Sequence, residues 1–255
     1  MLKKRIVFTL LHQEKSFYLS RNFRLQKVGD LDWLKRNYDF TLITKSVDEI
    51  IVLDVSRKGK DINNFCNIIK KFTKDCFIPI SVGGKINDLE IAKRYIDSGA
   101  DKLVINTNLF NKKLLEKISH TFGEQCLIAS VDFKRENKNF RAYTNNGKEK
   151  NSKDIKLIFK LLEKFPIGEI YLNSIDRDGT GNGFEFDVLK HLPKTLNKPI
   201  IFSGGAGNYK HLLKALKNKK IDAIATANLL NFVGNGLQEA RNLIAQNGFK
   251  LAEWI

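Results

Sequence analysis

Short runs rich in Val, Ile and Leu alternate along the chain with longer amphipathic, lysine-rich stretches. The runs are RIVFTLL, EIIVLDV, FIPISVGG, DKLVINT, CLIASVDF, EIYLNSID, KPIIFSGG and IDAIATAN. Each is nearly continuous in apolar residues, so each reads as a strand covered on both faces, as in a parallel sheet. Helical patterns such as NNFCNIIKKFTK, DLEIAKRYIDSG and NYKHLLKALKNK lie between them. Eight such units without an evident linker predict a single α/β domain over residues 1–255, a (β/α)8 TIM barrel. An open doubly wound sheet is the other architecture this pattern allows.

The chain also repeats itself. EIIVLD from Glu49 resembles EIYLNS from Glu169, 120 positions on. The pair Gly83-Gly84 resembles Gly204-Gly205 at an offset of 121, and Asp101 and Asp222 keep that offset. The predicted barrel therefore divides into half-barrels of about 1–123 and 124–255. Each Gly-Gly pair ends a strand, where backbone N–H groups can approach an anion closely. Asn106-Thr107 and Ala227-Asn228 end the fourth and eighth runs and add hydrogen-bonding groups. Two matched cradles suggest a ligand with a phosphate at each end; the plainer reading is a pair of tight strand-to-helix turns.

Chemistry in a barrel of this kind sits at the C-terminal strand ends. The fifth run carries Asp132, and the sixth leads into SIDRDGT with Asp176 and Asp178. Carboxylates whose environments differ can act as acid and base. Asp176 and Asp178 can equally serve only as loop-forming side chains. Moving back 121 positions from Asp132 reaches Leu11, so the repeat supplies no acid on the first strand. His12 follows it but points to the opposite strand face, which favours a packing role. At the other end of the strands lie Arg5, Glu49, Lys102 and Glu169, two cations and two anions. Pointing inward they need one another, because an unpaired buried charge is costly. By composition alone, separately solvated strand-end charges are the expectation.

Composition adds limits. The formal net charge of +16 comes mostly from lysines spread along the chain, without an arginine-rich or basic-aromatic cluster. That pattern fits a solvated surface and argues against a nucleic-acid partner. No run of 18 apolar residues signals a membrane span, and the N-terminus reads as a strand, not a signal peptide. Cys66, Cys76 and Cys126 match no zinc spacing and fit a reducing, cytoplasmic setting. No metal or other cofactor is expected.

The stretches MLKKRI, VGGKIND, GADKLVINTNLF, FGEQC, VDFKR, GEIYLNSIDRDGTGNGF, SGGAG and IDAIATANLLNF span the chain. Together they resemble the cyclase subunit of imidazole glycerol phosphate synthase, the HisF family. The resemblance implies a TIM barrel with two phosphate sites that closes an imidazole ring. The ammonia comes from a glutaminase (HisH-like) subunit docked at the barrel bottom. By position it implies acid-base roles for an acid at position 11 and for Asp132, with Asp178 a further active-site acid. It implies an ammonia gate of Arg5, Glu49, Lys102 and Glu169, and a partner interface near Asp101 and Gln125. Gly84, Asn106, Gly205 and Asn228 fall at phosphate-contact positions.

Three departures matter. Leu11 replaces the first acid, Leu19 stands where the family usually has Lys, and Lys85 replaces the third Gly of a Gly-Gly-Gly cradle. A kept gate with half the acid pair gone resembles the branch of the family associated with glycosyl amidation. The expectation is a subunit that channels ammonia toward a phosphorylated small molecule or a sugar, with a sugar amidotransferase as a third component. An active cyclase of histidine biosynthesis and a catalytically silent phosphate-binding scaffold are the alternatives.

Overall fold

The computed structural model describes residues 3–37, 43, 45–57, 59, 61–74, 76–227 and 236–251. In chain order, β1 (Arg5–Gln13), β2 (Ser16–Arg21), β3 (Arg24–Gly29), α1 (Leu31–Asn37), β4 (Glu49–Asp54), α2 (Ile62–Thr73) and β5 (Ile80–Gly83) come first. Then follow α3 (Leu89–Asp97), β6 (Lys102–Ile105), α4 (Lys112–Phe122), β7 (Leu127–Glu136), β8 (Asn139–Thr144) and β9 (Glu149–Asp154). The last are α5 (Ile155–Leu162), β10 (Glu169–Ser174), β11 (Ile200–Ser203), α6 (Tyr209–Leu216), β12 (Ala223–Thr226) and α7 (Gly236–Gln246).

Every one of the eight apolar runs is a strand. They pair in parallel in the order β1, β4, β5, β6, β7, β10, β11, β12. The circuit closes because β12 pairs with β1, Arg5 opposite Ala223 through Phe8 opposite Thr226. Closure removes the edges an open sheet would keep, so the molecule is a (β/α)8 TIM barrel. Side chains facing outward from the strands pack under the helices, while Val7, Ile51, Val104, Ile128, Tyr171, Ile201, Ala223 and Ala225 form a separate inner cluster.

The helices start where short polar side chains can cap them. Asp61, Asp88, Asn111, Asp154 and Asn208 each accept a hydrogen bond from a backbone N–H in the first turn that follows. Such a cap contributes about 1 kcal/mol. Asp88 and Asn208 are 120 positions apart and start equivalent helices. The repeat shows in the hydrogen bonds too. Asp101 Oδ2 accepts from Ile80 N at 2.8 Å, and Asp222 Oδ2 accepts from Ile200 N at 3.0 Å.

The structure adds strands that the apolar runs did not signal. β1 continues into the antiparallel hairpin β2–β3, and β7 into the hairpin β8–β9. Both turn on two adjacent residues of positive φ, Asn22-Phe23 (52° and 62°) and Asn145-Asn146 (50° and 56°). Such pairs match the twist of a hairpin. Because both hairpins extend the C-terminal ends of their strands, they stand beside the barrel mouth. No helix among the described residues is long and apolar enough to cross a membrane. Cys66, Cys76 and Cys126 are all buried.

Candidate active site

Period-two alternation sorts each strand's inward residues into layers from the N-terminal to the C-terminal end. On β10 these are Glu169, Tyr171 and Asn173 in turn. Glu169 belongs to a charged layer, Tyr171 to the inner cluster, and Asn173 to a cavity at the mouth.

The charged layer is a ring. Arg5 Nη1 lies 2.9 Å from Glu49 Oε2, and Arg5 Nη2 lies 2.5 Å from Glu169 Oε2. Lys102 Nζ completes it at 2.6 Å from Glu169 Oε1 and 3.3 Å from Glu49 Oε2. Ser81 Oγ donates to the other Glu49 oxygen at 2.5 Å. The expectation from composition, four separately solvated charges, is therefore wrong. Glu49 is 2% exposed and Glu169 9%, so water cannot replace the cations. Burial pushes the Glu169 carboxyl up, but the hydrogen bond and charge of Arg5, with Lys102, outweigh it and leave the pKa lowered. Asp101 and Gln125, exposed at this same end, lie just before β6 and β7. One oxygen of Asp101 is occupied by Ile80 N, so that side chain also fixes the strand start.

The mouth holds a cavity of ≈ 360 Å³, within the size range of small-molecule sites. Asp132 and Asp178 both line it. Asp132, 9% exposed, accepts from Asn106 Nδ2 at 3.2 Å and from Asn173 Nδ2 at 3.3 Å. Burial raises its pKa to about 7; Asn173 pulls against the shift and the charge of Asp178 adds to it. Asp178, 8% exposed, is likewise raised by burial. Its Oδ2 accepts from Ser20 Oγ at 2.5 Å and from Phe23 N at 3.1 Å, which pull the other way. Asp132 can thus exchange a proton near neutrality, while one oxygen of Asp178 is engaged in holding the β2–β3 hairpin. Asp176 is exposed, and its carboxylate accepts from Arg135 N at 2.7 Å. It is a loop residue, as the plainer reading has it.

Leu11 lines the cavity, so the absent first-strand acid leaves an apolar wall there. His12, 1% exposed, turns away, stacks on Phe65 and meets Phe17 edge-on. Among the described residues neither of its ring nitrogens has a hydrogen-bond partner, and burial lowers its pKa.

Of the cradle residues, Gly84, Asn106, Thr107 and Ala227 line the cavity, whereas Gly83, Gly204 and Gly205 do not. Asn228 lies outside the described residues. At Gly84, φ is +115° and a Cβ would run into the Asp54 carbonyl oxygen; at Gly205, φ is +109° and it would run into the Gly183 carbonyl. Close packing of neighbouring loops thus requires both glycines. Lys85 keeps the left-handed conformation at φ 55°, and its Nζ donates to Gly59 O at 2.5 Å across the rim.

Other lining residues escaped the sequence reading. Asp54 ends β4 in EIIVLD, a position the strand-end rule marks for chemistry. Asn173 shares the inward face with Glu169 by alternation. Phe23, Arg57, Asn145 and Asn146 come from the hairpins and a loop, and the apolar runs contain no signal for them. The Phe23 ring packs close to Gly147, so the two hairpin tips meet over the mouth. Arg57 Nη2 donates to Phe23 O at 2.6 Å and braces that tip. Among the described residues no group of three His, Cys, Asp or Glu side chains is placed to hold a metal ion.

Comparison with known proteins agrees with this geometry. Residues 39–234 match the family described as histidine biosynthesis protein. A protein of Parasynechococcus marenigrum (strain WH8102), provisionally named imidazole glycerol phosphate synthase subunit hisF2, is 43% identical over 256 residues, covering 100% of this chain and 95% of that one. Imidazole glycerol phosphate synthase subunit HisF of Dictyoglomus turgidum is 34% identical over 97% of this chain and 98% of its own. The HisF of Clostridium botulinum (strain 657 / Type Ba4) is 31% identical over 98% and 99%. With the barrel, the ring and the carboxylates of the mouth in place, the chain belongs to the histidine biosynthesis protein family, among the HisF-like synthase subunits.

Proposed function

We propose that this chain is the synthase-side subunit of a glutamine-dependent complex. A glutaminase subunit docks at the N-terminal end of the barrel, near Asp101 and Gln125. Ammonia enters through the ring of Arg5, Glu49, Lys102 and Glu169 and travels up the apolar interior to the cavity. The acceptor is a sugar or sugar-derived substrate, used directly or by a sugar amidotransferase, and not the histidine-pathway intermediate. One observation carries this reading: the ring is complete, while Leu11 puts an apolar wall where the first acid of the cyclase pair belongs.

In this scheme Asp132, with its pKa near 7, gives up or takes a proton as ammonia is used. Asp178 adds negative charge beside it and keeps the β2–β3 hairpin closed over the ligand. Gly84, Asn106 and Thr107 hold an anionic group of the ligand by backbone and side-chain donors. The active cyclase remains the second reading, favoured by the proton-exchanging carboxyl of Asp132. Loss of one acid-base partner lowers turnover by roughly 10²–10⁴-fold, which weighs against it.

The test uses the purified chain with an ammonium salt and the histidine-pathway ribonucleotide intermediate, following imidazole glycerol phosphate, beside Leu11→Asp. The expected result is no turnover by the unchanged chain. Turnover at a rate useful to a cell would reject sugar amidation and establish the cyclase.

A further inference from the structure

The Tyr171 hydroxyl donates to Ser203 Oγ at 2.9 Å and lies 3.3 Å from Thr9 Oγ1. Ser203 is on the neighbouring strand β11, but Thr9 is on β1, with β11 and β12 between it and β10. Adjacent strands are about 4.8 Å apart, so the way from β10 to β1 along the wall is roughly 14 Å. The contact is therefore a chord: the phenol lies across the barrel interior. The side chain is 2% exposed and belongs to the inner apolar cluster with Val7, Ile51, Val104 and Ile128. Its other side, with Thr9 and Ser203, lines the cavity.

Tyr171 thus separates two spaces. Above it is the cavity of the mouth. Below it, apolar side chains lead to the charged ring. Burial raises its pKa to about 12, with the Ser203 and Thr9 hydroxyls pulling the other way, so the hydroxyl stays neutral at working pH. A neutral side chain held by two neutral hydroxyls is a weak latch, since such hydrogen bonds each contribute about 1 kcal/mol net.

The geometry points to Tyr171 as a plug in the barrel interior, latched by Thr9 and Ser203, which decides what passes between the charged ring and the cavity. A solute moving along the axis must displace the phenol, and only a small one fits beside the displaced ring. The selectivity for ammonia that this would give rests on the function proposed above. The plug itself does not rest on it.

The test places a thiol beneath the plug. Ile128→Cys, at a position of the inner cluster that pairs in register with Glu169 of the charged ring and is outside the cavity lining, is made in the full chain and treated with methyl methanethiosulfonate. Modification is followed by peptide mass mapping, with buried Cys66, Cys76 and Cys126 as references outside the barrel interior. With Tyr171 present, Cys at position 128 reacts slowly. Removing the latch with Tyr171→Phe speeds the reaction by about thirtyfold, the amount expected from two neutral hydrogen bonds, and Tyr171→Leu speeds it further. Rates that are the same with Tyr, Phe and Leu would overturn the plug, as would a rate with Tyr equal to that of an exposed thiol. If the Leu variant does not fold, the Phe variant, which keeps the ring volume, decides alone. The reaction needs neither glutaminase nor acceptor, so a failed plug and a failed ammonia route give different results.

Discussion

Two buried titratable residues set opposite pH trends. The fold favours neutral His12 because burial lowers its pKa and, among the described residues, neither nitrogen finds a partner. The unfolded chain takes up the proton first, near pH 6.5, so this residue costs stability as the pH falls below that value. Replacement by Phe, which can stack on Phe65, is expected to flatten that loss and add about 1 kcal/mol at pH 5.5. Urea melts at pH 5.5 and 8 would read it, and an undiminished loss in the variant would show that other groups carry the acid sensitivity. Asp132 works the other way. Its folded pKa near 7 exceeds that of an unfolded Asp, so the folded state holds a proton that the unfolded state has released. Its contribution is greatest at low pH and is lost as the pH rises toward 7. Asp132→Asn is therefore expected to be more stable than the parent at pH 8, by about 1–4 kcal/mol, with a smaller gain at pH 5. Equal gains at the two pH values would mean that the carboxyl is not perturbed. His12 illustrates what strand alternation reveals: its facing was legible in the sequence, its aromatic partners were not.

Elements show where local pattern ends and tertiary contact begins. The eight strands were legible because a strand covered on both faces must be apolar throughout. The hairpins β2–β3 and β8–β9 were not, because they project from the mouth and carry mixed, largely polar sequence, as in NFRAYT and EKNSKD. Their stability comes from where they dock. Asp178 takes hydrogen bonds from Ser20 and Phe23, and Asn22 Nδ2 reaches the carbonyls of Ile175 and Asp176. Ser20→Ala combined with Asp178→Asn should raise hydrogen exchange across residues 16–29 about tenfold or more, at nearly unchanged barrel protection. Uniform loss of protection would mean that the hairpin is part of the cooperative barrel. The charged ring offers a second test at this scale. Arg5 holds Glu49 and Glu169 at 2.9 and 2.5 Å, closer than Lys102 does at 3.3 and 2.6 Å. Stranding buried carboxylates is costly. Arg5→Ala should accordingly cost about 2–4 kcal/mol, and Lys102→Ala about 1–2, in thermal or urea melts; the reverse order would contradict the ring geometry.

At the scale of the whole molecule, the excess of 44 Lys and Arg over 28 Asp and Glu repels itself. Salt at 0.1 M largely screens such repulsion between exposed charges more than about 10 Å apart and affects the buried ring much less. Raising sodium chloride from 10 to 200 mM should therefore increase Tm by roughly 2–5 °C. A decrease would show that surface ion pairs, such as those of Asp187 with Arg135 and Lys190, outweigh the net charge.

The sequence by itself determined the periodic features: eight parallel strands, the half-barrel repeat, the helices between the strands and the end of the barrel at which each charged residue sits. Strand and helix periods are local properties, so hydrophobic order along the chain is enough to encode them. Only the tertiary structure decided that Arg5, Glu49, Lys102 and Glu169 close into one ring, that Asp132 is desolvated enough to titrate near 7, and that Tyr171 crosses the interior to reach Thr9. Each of these depends on distances between residues far apart in the chain. Electrostatic and hydrogen-bond energies follow distance and desolvation, which a linear pattern does not contain until the barrel is closed.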